Sequence, residues 1–546
     1  MKLYKLKEPK MKKGTVNVFY GLDSRPDAPD FSLESSNGIT SEYFPFISSG
    51  KTLKKEKDLT AGAYVFSLGS KMGLISGENL YIDSKSFPLK FSGNTSSVIK
   101  MGEKIIAFPD KTYTDEKGNS GSLEASFSTS KSGNSRPYFS LVTADGEDYG
   151  KTPVVGTAQP AAAENGDLWI DTSGNISILK IYSNGVFYEI TSPLVKISYS
   201  GIGASFSRGE GVNISGTPID GDYVLKEAEN DYIIIGAILE NSLYSNITIK
   251  RSVPDIDFAC THDNRIFGCK KDGSAIYICA LGQMKNWNAF EGIASDSYSA
   301  DVLDGEEFTA TKAFGSNVYF FKEDKIYQLR GTKPQNYQLL AKSAPGVKKG
   351  CERSVFEYMG VLYYYSPEGF MAFDGSYPDK VFTGFKEKLE KVSACFLGNT
   401  IYFSDGNKLY SANPEKGIVT TLSDMGGSSL AVENGVLNLI NGTALYRLVG
   451  ENGSFSAVFN PIGERKTGKE YLSRIDLSFL LKGSISVKLS YDGEAFITVF
   501  SFCGKSPTTK EHTAPILLRR HTSLKIMLEG EGEFSLKALS LNYSEV

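Results

Sequence analysis

The chain repeats itself. Five segments share one grammar: a strand of bulky residues, a tight polar turn, then a second strand carrying an apolar–Tyr pair. They are RIFGCKKDGSAIYIC (265–279), NVYFFKEDKIYQL (317–329), VLYYYSPEGFMAFDG (361–375), TIYFSDGNKLYSA (400–412) and VLNLINGTALYRL (436–448). Tyr277, Tyr327, Tyr410 and Tyr446 fall in register, with Ala372 as the exception. YVFSLGSKMGLISGENLYID (64–83) fits with Tyr81 in that place after a longer turn, and KIIAFPDKTYTD (104–115) is a shorter match. The first-strand anchors Ile266, Val318, Leu362, Ile401 and Leu437 lie 52, 44, 39 and 36 residues apart. A two-strand unit at that period leaves room for two more strands, which is the size of a propeller blade. Asp272–Gly273, Asp405–Gly406 and Asn441–Gly442, together with the PEG at 367–369, supply hairpin residues that tolerate positive φ. The expectation is an all-β chain with a six- or seven-bladed β-propeller, in which Tyr81, Tyr277, Tyr327, Tyr410 and Tyr446 pack between blades. A β-sandwich would also give short strands and glycine turns, but a repeated tyrosine register is less expected there.

The repeat is interrupted for 161 residues between Ile105 and Ile266. GNSGSLEASFSTSKSGNS (118–135) is Ser/Gly-rich and GTAQPAAAENG (156–166) reads as a linker, with strand patterns at 167–191 and 232–249. Residues 112–252 are therefore expected to be an inserted all-β domain. Residues 1–111 are assigned to an N-terminal arm and the first blades, and 253–455 to the remaining blades. Beyond 455, two long alternating strands at 473–502 and a third pattern around the GEGE turn predict a C-terminal β-sandwich-like sheet over 456–546. VFTGFKEKLEKVSACF (381–396) is the best helix candidate.

Composition narrows the function classes. Fifty-nine basic and 63 acidic residues give a net charge of −4, so no generalised grip on nucleic acid or anionic membrane is implied. The six lysines among the first thirteen residues precede no apolar run, so they do not read as a secretory signal and are expected to form a solvated tail. No segment reaches the length of a membrane helix. Six cysteines without a CxxC pair predict buried free thiols and no disulfide scaffold.

His262 in CTHDNR (260–265) stands beside Cys260 and Asp263, but a polar turn explains it; His512 and His521 flank APILLRR. Asp296 with Asp301, or Glu306 with Glu307, are the carboxylate pairs a glycosidase would need. DEKGNSG (115–121) and ADGEDYG (144–150) lack the ligand alternation of a calcium loop. Lys348, Lys349 and Arg353, the run Glu464–Arg465–Lys466, and Arg519–Arg520 are short basic clusters of the kind that form solvated faces. No catalytic, metal or cofactor residues are assigned, and the expectation is that the chain is not an enzyme.

Read in order, several segments resemble one family, the β-propeller tail-tube and nozzle proteins of tailed bacteriophages of the packaged-DNA-stabilisation type. They are VFYGLD (18–23), NGITSEYFPFISS (37–49), DIDFACTHDNRIFGC (255–269), LGQMKNWNAFEG (281–292), 313–339, PGVKKGCERSV (345–355), EGFMAFDGSYPDKV (368–381) and the closing 490–543. The resemblance covers about 1–110 and 253–546. Separately, 167–190 is similar to small β modules of phage tail and fibre proteins. The resemblance implies a structural virion protein made in the host cytoplasm and located in the tail, forming a homohexameric ring that guides and retains double-stranded DNA. Its implied partners are portal or adaptor, tail-tube, and fibre or spike proteins, with no cofactor and no membrane helix. The other reading is a propeller lectin or glycan-processing protein recognising a cell-surface sugar, for which the recurrent tyrosines would be exposed.

Overall fold

The computed structural model describes residues 11–69, 71–83, 85–89, 91, 97–129, 136–462 and 469–544. Among them the secondary structure is strand, with only two short 3₁₀ turns, Pro334–Asn336 and Glu352–Ser354. The fold is all-β. It divides into two compact units, one comprising the described residues up to Phe87, Phe321–Ile326 and those from Lys342 onward, the other Pro88–Phe320 with Tyr327–Ala341.

The first unit contains four blade-like antiparallel sheets of four strands. They span 64–88, 356–380, 393–423, and 429–452 completed by Lys51–Asp58. The second unit contains two more, over 97–122 and 258–301, and most of a third, over 310–343. In each, the strands pair in the order of a simple meander, except that the fourth strand of the 429–452 sheet comes from far upstream. The second strands are near-continuous apolar runs because they are covered on both faces. Arg265–Cys269 and Thr400–Ser404 are buried at every position. Lys51–Asp58 is exposed at all but one, as suits an outer edge protected by lysines.

The inserted domain is two sheets around one core, joined by a third. Phe139, Leu141, Val195, Ile197, Ile233 and Ile235 of one sheet face Val212, Ile214 and Ile249 of the other, all nearly inaccessible. The small sheet Val154–Gly156, Leu168–Asp171, Ile178–Ser183 and Val186–Glu189 adds Leu168, Ile170 and Leu179 to the same core. Its strands begin at Ala125 and end at Arg251; residues 112–122 instead complete the 97–122 sheet, so the expected start of the insertion at 112 falls too early.

The C-terminal region is one nine-stranded sheet, and it recruits the N-terminal segment. Met11–Val16 pairs with Leu524–Ser544, and so does Ile47–Ser49; Leu33–Asn37 pairs with Ser454–Phe459. The expected division at 1–111 thus gives way: 11–49 belong with 454–544. The long strands Glu470–Tyr491, Ile497–Pro515 and Leu524–Ser544 do not run straight. Phe500 and His512 lie on one strand, twelve positions apart, which extended chain would separate by about 40 Å. Their ring centroids are 3.9 Å apart, so the strand doubles back. The bend falls where Gly483, Gly504, Gly530 and Gly532 sit on adjacent strands. A Cβ at Gly483 or Gly530 would stand 2.0 Å from a neighbouring carbonyl oxygen, and Gly483 has φ +144°. Only glycine lets three strands turn together this tightly. The folded sheet closes on Phe455, Phe479 and Phe534, giving the sandwich-like layer expected from the alternation.

The helix expected over 381–396 is absent. Ser393–Leu397 is a strand, and Phe382 has φ +55°, which breaks any helical run. Phe382 and Phe385 turn inward instead, their rings 5.7 Å from Phe370 and Phe403 respectively. Of the six free thiols, Cys503 is exposed, against the expectation of burial. It lies on Ile497–Pro515, a strand that pairs on one side only.

Candidate functional site

The five register tyrosines mark seams between neighbouring sheets. Tyr81 packs against a cluster that joins Val65, Met72 and Leu74 to Ala431, Ile440 and Leu445. Tyr277 packs against one joining Ile106 and Phe108 to Ile266, and Tyr327 lies inside one joining Phe267 and Ile278 to Val318 and Phe320. Tyr446 borders the cluster of Tyr402 and Leu409 with Leu437 and Leu439. Tyr410 is fully buried, 4.8 Å from Phe403, whose ring in turn lies 4.6 Å from Phe370 of the preceding sheet. Two of these rings also anchor loops: the Tyr410 hydroxyl donates to Glu387 at 2.6 Å and the Tyr327 hydroxyl to Asp304 at 2.5 Å. Burial pushes the Tyr410 phenol far above its ordinary range, so it remains a donor.

The candidate chemical groups are dispersed. Burial raises the Cys260 thiol to about 11, leaving it protonated, with Thr311 as its polar neighbour. His262 Nε2 is 3.5 Å from Asp263. Asp296 is buried and caps its own loop, accepting the Gly292 and Ile293 N–H groups at 2.6 and 3.0 Å. Asp301 is exposed at the end of the strand Tyr298–Asp301, whereas Asp296 is buried and already hydrogen-bonded within its own loop, so the two stand in different environments. Glu306 and Glu307 lie in the loop that follows. His521 is buried with Nδ1 2.9 Å from the Arg519 carbonyl. Hydrogen bonds from Lys104 and Asn119 hold Asp115 well below the ordinary carboxylate range, so the 115–121 turn is closed by an ammonium. No group of three or more His, Cys, Asp or Glu among the described residues is placed to share a metal ion.

The basic clusters are likewise local. Lys348 Nζ binds the Leu389 carbonyl at 2.8 Å and Glu390 at 3.1 Å, and Arg353 lies 4.5 Å over the Tyr64 ring. Arg519 pairs with Glu494 and covers Tyr491. Residues 464–466 lie outside the described residues.

One assembly emerges that no spacing rule predicted. The loop 280–297 of the 258–301 sheet is a seat for the inserted domain. Asn286 Nδ2 donates to the Gly209 carbonyl at 2.6 Å, while its Oδ1 accepts the Gly211 N–H at 3.0 Å. Asn288 Nδ2 reaches the Ser252 carbonyl at 3.0 Å, and Lys226 pairs with Glu291. Trp287 fills the core beneath, its Nε1 donating to the Met284 carbonyl at 2.9 Å. Within the seat, Arg265 is 1% exposed and donates to the carbonyls of Cys279, Ala294 and Asp296. On the inserted side, Arg251 and Glu210 form a buried ion pair at 2.5 Å, and the guanidinium also binds the Leu123 and Ser205 carbonyls. The segment LGQMKNWNAFEG (281–292) is thus a structural joint. The partners of Asn286 are backbone groups some 75 residues away, so the sequence carried no signal for them.

No protein-family model and no curated protein matches this chain. Solved structures do. An exo-β-1,3-galactanase from Phanerochaete chrysosporium, crystallised with galactose, aligns over 90% of this chain and 100% of its own, at 9% identity and a TM-score of 0.23. The extracellular domain of a putative one-component system from B. thetaiotaomicron aligns over 87% and 77%, at 8% identity and a TM-score of 0.29. A Bacillus thuringiensis Cry1Da tryptic core variant aligns over 52% and 50%, at 8% identity and a TM-score of 0.16. Scores this low carry no argument about function, and the fold described above rests on the sheets themselves. The galactanase is an enzyme, against the expectation of a non-enzyme; the likeness is one of fold alone, and that expectation is not carried further. Catalytic carboxylates can come from strands far apart in sequence, so the lack of a local motif does not by itself argue against an enzyme.

Proposed function

We propose that this chain is a structural protein of a tailed-phage virion, assembled as a ring, six copies around the axis, through which packaged double-stranded DNA passes. The observation that supports this reading is where the phage-like segments fall. LGQMKNWNAFEG (281–292) is the seat of the inserted domain, PGVKKGCERSV (345–355) is fixed by Lys348 and Arg353, and the closing 490–543 forms the glycine-bent sheet. Collinear motifs, three of which serve such structural roles, suit a protein selected for shape. The formal charge fits as well: six copies of a −4 chain would carry about −24, which favours passage of DNA over adhesion. Portal or adaptor proteins and fibres or spikes are the proposed neighbours. A reconstruction of the intact particle tests this. A ring enclosing an axial channel is the expected result; the chain found only on radial spikes would overturn it.

A second reading, recognition or processing of a cell-surface sugar, is supported by one observation, an open cleft beside the seat whose lining carries unmatched hydrogen-bond donors.

A further inference from the structure

The cleft lies between the 203–211 turn of the inserted domain and the 280–287 turn of its seat. Its volume is about 310 Å³, at the lower end of the range for small-ligand sites, and Ser207, Arg208, Glu210, Gln283, Met284 and Lys285 line it. Both walls are fixed. Glu210 N–H donates to the Ser207 carbonyl at 3.1 Å, Gly209 N–H to that of Leu225 at 2.8 Å, and Asn286 N–H to that of Gln283 at 3.1 Å.

The charges in the lining do not cancel. The Glu210 carboxylate is matched by buried Arg251 and by the Ser207 N–H. Arg208 is exposed and has no carboxylate partner among the described residues. Lys285 has none either, its Nζ standing 5.0 Å over the face of Tyr113. The Gln283 amide is oriented, because its Oε1 accepts from Asn286 Nδ2 at 2.9 Å, leaving the Nε2 hydrogens for the cleft. A guanidinium, an ammonium, an amide NH₂ and a hydroxyl therefore belong to one lining whose carboxylate, Glu210, is already paired. An arginine fork with a nearby ammonium is the arrangement that holds a phosphate or carboxylate group. The rest of the volume, rimmed by Ser207 and Met284, leaves room for the unit that carries it.

We propose that this cleft binds an oxyanion, phosphate or carboxylate, borne on a hydroxyl-rich unit of about monosaccharide size. The proposal rests on the second reading above and gives that ligand its chemistry. The test is calorimetric titration of the full chain at low ionic strength with glucose 6-phosphate, glucuronate, glucose and inorganic phosphate. One of the two charged sugars is expected to bind more tightly than both glucose and phosphate, and the better of them identifies the group. Arg208→Ala should weaken it by about tenfold or more, the loss of a charge-assisted hydrogen bond, with the melting temperature unchanged. Lys285→Ala should weaken it in the same direction. Phosphate alone binding as tightly as the sugar phosphate would overturn the saccharide part. Affinity for a charged sugar unaltered in the Arg208→Ala/Lys285→Ala variant would overturn the site. Glucose binding as tightly as the charged sugars, untouched by both substitutions, would overturn the oxyanion proposal while the sugar reading stands. Silence towards all four probes, together with a glycan array that captures nothing, would overturn both.

Discussion

Replacing Gly483 by alanine tests whether the C-terminal sheet is bent by its glycines. The new Cβ would stand 2.0 Å from the Glu531 carbonyl oxygen and 3.0 Å from its carbon, both backbone atoms of the paired strand. Contact at ordinary distance begins near 3.4 Å, so the strands must part by more than 1 Å at a position joined by hydrogen bonds on both sides. Overpacking of this kind costs about 1–3 kcal/mol. The backbone adds a second penalty, because φ +144° lies where side chains are strained, costing about 1–3 kcal/mol more. The sum, about 2–6 kcal/mol, corresponds to a fall of roughly 8–24 °C in the melting transition of a region of this size. Two companions sharpen the test. Gly530→Ala keeps an ordinary φ but meets the Ser484 oxygen at 2.0 Å, so it should show the packing penalty alone. Gly14→Ala, on the same sheet with nothing within 4 Å, should leave the transition unmoved or slightly raised. Differential scanning calorimetry of the four proteins reads the order directly. If Gly483→Ala and Gly14→Ala melt together, the glycines are not what bends the sheet.

Three other outcomes are expected. Arg251→Met leaves Glu210 buried without its counter-charge and should cost about 3–5 kcal/mol, seen as faster proteolytic release of 125–251; adding Glu210→Leu should recover most of it. Native thiol titration should label Cys503 alone, since burial raises Cys260 and Cys351 to about 11 and Cys279 and Cys395 to about 12; rapid labelling of a second cysteine would contradict this burial. Hydrogen bonds from Lys180 and Ser173 lower Asp171 from 3.8 to about 2. The folded state therefore gains stability from this carboxylate above pH 4 and loses it as pH falls towards 2, and Asp171→Asn should flatten that acid limb in a pH series of melting temperatures.

The blades were legible because each carries its own evidence within some fifteen residues: an apolar second strand, a turn with glycine or Asx, and a tyrosine at fixed register. What local pattern could not reveal was which strands would complete a sheet. Lys51–Asp58 looks like a solvated charged run, yet it is the fourth strand of the 429–452 sheet. Residues 11–49 read as an arm, yet pair with strands beyond 454. The seat of the inserted domain reads in sequence as a family-like motif, but its purpose lies in the backbone of Gly209 and Gly211. Arg208 and Lys285 carry no sequence signal, because neither has a distinguishing neighbour in the chain and only the fold brings them to one cleft.

The borrowed strand also sets a timetable for the chain's birth. Thr52 donates its hydroxyl to the Glu451 carbonyl at 2.7 Å, and the two residues are 399 positions apart. A ribosome needs about 20–80 s to cover that distance, during which Lys51–Asp58 has emerged and its partner does not exist. The 429–452 sheet is thus sealed late, by closing a very long loop, as is the pairing of Met11–Val16 with Leu524–Ser544, which makes these slow contacts of the fold. KTLKKEKD is suited to the delay: six charged residues among its eight keep it hydrated, repel its like on neighbouring polysomes, and still leave Leu53 to dock when its sheet arrives.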